Sequence, residues 1–145
     1  MSSHDTSTSL QTLFTQVCGI LGLSHELRAR LVAGDPIVAP SGFVCRIHTQ
    51  QQNGLLRAFP EIIIPMSARE LGGDTVVRLL GVQETLLTEC GWRIGMSEHG
   101  LLTLLPLFSE NTAESLAALL DRGQLMAHSV LTVLSGSAST GDTSP

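Results

Sequence analysis

The chain contains no lysine, and its eight arginines are scattered rather than clustered. Against thirteen acidic residues they leave a net charge of −5 and a pI near 5.4. An acidic chain without a basic cluster is poorly suited to a phosphate backbone, so no nucleic-acid partner is expected. The chain also lacks any uninterrupted apolar run near the roughly 20 residues of a membrane helix, which argues against membrane insertion. Its start, Met-Ser-Ser-His-Asp-Thr-Ser-Thr-Ser, has neither a basic n-region nor an apolar h-region, so a cytoplasmic location is expected. Cysteines are three, Cys18, Cys45 and Cys90, without CxxC spacing. Reduced thiols buried in apolar segments are expected, not a disulfide framework.

The motifs of chemistry are missing as well. Cys45 and His48 lie three apart, a spacing that on a strand puts them on opposite faces, and no second pair completes a zinc set. Gly72-Gly73-Asp74 precedes a helix but lacks the lysine of a phosphate-binding loop. Glu98-His99 falls in a turn, where a solvated polar tip is the ordinary reading. No catalytic residue, metal site or cofactor is expected, and the protein is not expected to be an enzyme.

What is present is aliphatic: 43% of residues are hydrophobic, 14% charged and only 3% aromatic. In one domain of 145 residues, some of that aliphatic surface is expected to be covered by another protein. Leu10, Leu13, Phe14, Val17, Ile20 and Leu21 recur at helical spacing up to Gly22, which marks the first helix. Ser24–Val32 adds a further turn or two of helix, ended by Gly34-Asp35-Pro36. Phe43–Thr49 reads as a strand, Gln50–Gly54 as a polar turn and Leu55–Phe59 as the returning strand, with Asn53-Gly54 as hairpin signal. Glu61–Pro65 reads as a short third strand set off by two prolines.

From Asp74 onward the pattern is sharper. Asp74 is expected to cap an apolar-rich helix that stops at Gly91. Trp92–Phe108 reads as a hairpin around Ser97-Glu98-His99-Gly100, and Asn111 with Glu114 opens the last helix in capping-box fashion. The fold class is therefore α+β, in the order α-β-β-β-α-β-β-α, with a single domain over residues 10–134. Residues 1–9 and 135–145, rich in Ser, Thr and Gly, are expected to be disordered tails. The middle helix carries Val76, Val77, Leu79, Leu80, Val82, Leu86 and Leu87 over more than one stripe. That suits burial between its own sheet and a symmetry mate, or else a central position in a monomer. Trp92 fits core packing or a subunit interface.

The run I-G-M-S-E-H-G-L-L-T-L-L-P-L followed by E-N-T-A-E-S-L-A-A-L-L resembles the C-terminal half of the class I type III secretion chaperones, typified by the Tir chaperone. The family usually passes quickly from first helix to first strand, and residues 22–42 depart from that. The resemblance implies a twisted antiparallel sheet and a homodimer. It implies a cytoplasmic chaperone that holds the N-terminal segment of a secreted effector in extended form, soluble and secretion-competent, with the secretion ATPase as a further partner. The cargo grooves would be made by the first helix and the three-stranded part of the sheet. Candidate cargo residues are Leu13, Val17, Ile20, Val44, Ile47, Leu56 and Phe59, each also a candidate for the core. The dimer contact would come from the second helix and the strand starting at Trp92, with Val77, Leu80, Leu87, Trp92 and Ile94. A regulatory or scaffold dimerisation domain resembling the roadblock type is the alternative.

Overall fold

The computed structural model describes residues 3–136. Helix α1 spans Ser3–Leu21, so the expected tail gives way to helix at Ser3. Each residue added to a formed helix gains a hydrogen bond without a new nucleation cost, which favours this extension. The helix stops at Gly22, whose φ of +71° lets the Leu23 N–H turn back to the Cys18 carbonyl at 2.9 Å. Helix α2, His25–Val32, fills the region where the chain departs from the family pattern, and is capped by Ser24 Oγ on the Leu27 N–H.

The sheet has five antiparallel strands in the order β1-β2-β3-β5-β4. They are β1 (Ile37–Val38), β2 (Val44–Gln52), β3 (Leu55–Ser67), β4 (Trp92–Met96) and β5 (Leu101–Pro106). Two expectations are corrected here. The polar turn shrinks to Asn53 and Gly54, both at positive φ, and the glutamines before it join the ladder. A type I′ turn matches the twist of its strands, so pairing continues to its rim. Leu55–Ser67 is one strand rather than two, and the third partner in this part of the sheet is β1.

Both prolines are accommodated because each sits where pairing is already interrupted. Ala58 turns its N–H and C=O away from β2 to Glu110, so Pro60, two residues on, turns its nitrogen the same way. That side regains a strand partner only at Ile62 opposite Leu104. Pro65 lies within the register shift between Ile63 and Ser67.

Register aligns Ile37, Cys45, Ile62, Leu104 and Ile94 in one row across all five strands. This row belongs to the inner face, with the first four buried and Ile94 packed on the core. Helix α4, Ala113–Leu131, lies over β3, and α1 packs against α4. The cap of α4 is Thr112, accepting from the Ser115 N–H at 3.2 Å, rather than Asn111. A π turn, Thr132–Gly136, continues α4 past the expected boundary, and the rest of the expected C-terminal tail lies outside the described residues. Gly123 is where α4 meets Trp92: a β-carbon there would stand 2.7 Å from Trp92 Cη2.

Helix α3, Gly73–Thr85, lies at the other end of the sheet. Its cap position is Gly72, with Asp74 in the first turn, where a carboxylate still favours the helix dipole. A π turn, Leu86–Cys90, leads to Gly91 at φ +77°, as the sequence suggested. Gln83 fastens α3 to the edge strand: its Oε1 accepts from the Ile94 N–H at 2.7 Å, and its Nε2 donates to the Ile94 carbonyl at 3.4 Å.

Candidate functional site

Alternation divides the expected cargo residues between two faces. Leu13, Val17 and Ile47 are buried core on the inner side, closed off by the α1, α2 and β2 packing. They are too enclosed to meet another chain, which corrects their candidacy. Leu56 is half-buried against the same core, at an open cleft lined by Thr12, Leu13, Gln16, Leu55 and Thr112. Ile20 falls beside the buried stripe of α1 and is 52% exposed. Val44 and Phe59 project from the outer face, half-buried.

No helix of the described chain is packed on the outer face, whose centre is polar. His48 Nε2 donates to Glu61 Oε1 at 2.8 Å. The His48 ring also stacks on Phe59, its register partner, with centroids 5.0 Å apart. Arg46 stands opposite Glu61 in register. The His48 bond above all, with the Arg46 charge nearby, holds the Glu61 carboxyl below its ordinary value against the opposing effect of burial. Glu61 and Thr103 are buried on this face, the Thr103 hydroxyl adding a smaller contribution to holding the Glu61 carboxyl down, and Arg46 Nε is buried without a hydrogen-bond partner. Arg57 reaches Ser109, donating from Nε to Oγ at 2.8 Å and from Nη2 to the carbonyl at 2.7 Å.

The sequence contained the signal for this cluster. A two-residue Asn53-Gly54 turn fixes His48 opposite Phe59 and Arg46 opposite Glu61, a pairing hidden while the turn was read as five residues long.

Strand β2 also offers backbone. Residues 44, 46, 48, 50 and 52 exchange hydrogen bonds with β3 by hairpin parity, which turns Cys45, Ile47, Thr49 and Gln51 to the other edge. There β1 pairs only as far as Cys45. Beyond it, Ile47, Thr49 and Gln51 face an edge without a strand among the described residues.

The expected dimer residues also divide. Helix α3 contains no buried residue, and Val76, Val77, Leu80 and Leu87 are all exposed, Val77 to 70% and Leu80 to 65%. Leu79 and Val82, on the opposite side, pack against the core. Ile94 is half-buried beside α3. Trp92 is 1% exposed, its ring held between β4 and α4, so it is a core residue and not a contact for another chain. On the other flank of α3, an apolar groove toward α4 is lined by Gly81, Val82, Thr85, Met126, Val130 and Val133.

Cys18 and Cys45 are buried, and burial pushes the Cys45 thiol up to about 12 and the Cys18 thiol above its usual value. Cys90 departs from expectation: as the last residue before Gly91 it is exposed at the mouth of the α3–α4 groove. Cys45 and His48 point to opposite faces, as their spacing required. Among the described residues no three His, Cys, Asp or Glu side chains gather as a metal-binding group, and no helix is long and apolar enough to cross a membrane. Compared with known proteins, the chain matches no family model, no curated protein and no solved structure at a significant level.

Proposed function

We propose that the protein is a cytoplasmic chaperone of the class I type III secretion kind, a homodimer that binds the N-terminal segment of a secreted effector and catalyses no reaction. The observation that carries this reading is the outward stripe of α3 and the π turn that continues it, Val76, Val77, Leu80 and Leu87, on a chain whose buried core lies elsewhere. Four large aliphatic side chains along one exposed helix face favour a covering partner. A second copy supplies the same stripe and satisfies both at once. Gln83, by occupying the β4 edge at Ile94, favours contact through the helix face rather than through a continuous sheet.

The free edge of β2 and the outer sheet face beside it suit an extended segment, with backbone bonds giving affinity and side-chain contacts giving selectivity. Val44, Phe59 and Ile20 remain as cargo contacts on this reading. The secretion ATPase would be met by the loaded complex. The test is deletion of the chain in its own cells: at least one secreted protein should fall in both stability and export. Its isolated N-terminal segment should then bind the purified protein in calorimetry. Undiminished export of every secreted protein would contradict the reading and return weight to a regulatory or scaffold dimer.

A further inference from the structure

The charge on the outer sheet face runs against that of the whole chain. Although the protein carries −5 overall, this face presents Arg46, Arg57 and Arg93 with His48, and one central carboxylate, Glu61. Glu61 is held by His48. Among the described residues no carboxylate lies within ion-pair distance of any of the three arginines. Arg57 spends its donors on the neutral oxygens of Ser109, leaving its charge unbalanced. Arg46 has a buried Nε with no acceptor. Arg93, on the outer side of β4, folds inward: a β-carbon on Gly95 would stand 3.4 Å from its Nη1 and 3.3 Å from Thr103 Oγ1. Gly95 thus leaves the space in which the guanidinium lies, over β4 and beside Thr103 of β5.

We propose that this face selects an acidic cargo segment, an extended peptide in which carboxylates alternate with apolar side chains. The inference rests on the reading of the protein as a binder of extended segments, and adds the chemistry such a segment must carry. The complementarity is specific in position. Arg46 on β2 and Arg93 on β4 are three strand spacings apart, about 14 Å at the usual separation, and an extended chain covers about that distance in four residues. Two carboxylates at positions i and i+4 of a segment crossing the strands therefore reach both guanidiniums. Between them, the side chain at i+2 points to the same face and lies over half-buried Leu105, the register partner of Arg93, with the His48-held Glu61 beside Arg46 in the same row. Arginine pairs with carboxylate by parallel N–H donors, which fixes the geometry of each contact as well as its charge.

The test uses the full-length protein and three fluorescein-labelled eleven-residue peptides of alternating Val and Ser, longer than the roughly 19 Å across five strands, so that both charged positions stay clear of the ends. They carry Glu, Gln or Lys at two positions four apart. Fluorescence anisotropy should show the Glu peptide binding about tenfold or more tightly than the Gln peptide, as expected for charge-assisted hydrogen bonds, and the Lys peptide weakest. Arg93→Gln, at an exposed site, should reduce the Glu-over-Gln preference to about threefold or less, as removal of one of two charge-assisted contacts requires. Arg46→Met should do the same if folded. Equal binding of Glu and Gln peptides, binding of none of them, or a preference untouched by Arg93→Gln overturns the proposal. Displacement of the Glu peptide by a single-stranded oligonucleotide at lower concentration than by unlabelled Glu peptide also overturns it, since the arginines would then serve phosphate. The two readings fail separately. A genuine effector segment that binds with its acidic residues changed to amides sinks this proposal and leaves the chaperone reading intact. Arginine-dependent acid preference without any export defect does the reverse.

Discussion

Glu61 shows how one residue links the sequence to the behaviour of the face around it. His48 and Arg46 lower its folded pKa, so its stabilisation is complete above the ordinary glutamate value of about 4.3 and is lost as pH falls through the lower folded value. Glu61→Gln should therefore cost about 1–2 kcal/mol at neutral pH, by loss of a hydrogen bond to a charged group. Urea unfolding at pH 7 and at pH 3 checks this: the gap between wild type and variant should narrow at pH 3, and a gap independent of pH contradicts the assignment. Gly123 makes the opposite kind of demand, for absence of a side chain. Gly123→Ala places a methyl 2.7 Å from Trp92 Cη2 and should destabilise by about 1–3 kcal/mol, measurable as a lower urea midpoint and a shift in Trp92 fluorescence. The cysteines offer a direct check of burial. Native protein should release one thiol equivalent to a disulfide reagent, that of Cys90, with Cys18 and Cys45 reacting only after unfolding.

At the scale of the element, the Gln83 clasp on Ile94 joins α3 to the sheet through a side chain no pattern in the sequence singled out. Gln83→Ala should speed hydrogen exchange at the Ile94 amide, with little change at Gly95, whose N–H faces β5 by ladder parity. Equal acceleration at both residues would mean that the whole strand depends on the helix. The helices and the second hairpin were legible because aliphatic periodicity and glycine stops act locally: Leu13, Phe14 and Val17 lie on the buried stripe of α1, and Gly91 ends its helix as expected. Strand boundaries were less so. Pro60 and Pro65 look like breaks in a linear sequence, yet tertiary pairing leaves their nitrogens at sites that need no N–H, and one long strand results. Strand β1 was hidden for a related reason, since two residues are too few for alternation to show. The outer face was half legible: alternation separates Val44 from Ile47, but only tertiary packing says which of them meets the helices.

For the whole molecule two uncovered surfaces matter, the α3 stripe beside β4 and the outer face that runs from β2 to β4. On the proposed function a second copy covers the α3 stripe, and Leu80→Asp should leave a folded chain while lowering the light-scattering mass from about twice 15.4 kDa to about once. An unchanged mass in that variant would move the contact off α3. On the same proposal, the outer face and the β2 edge take an extended segment. The most direct measurement of the combined account is native mass spectrometry of the protein purified from its own cells. The account predicts a complex of two 15.4 kDa chains with one secreted polypeptide, bound through that polypeptide's N-terminal segment. A bare monomer, or a dimer that never carries a secreted protein, would contradict it.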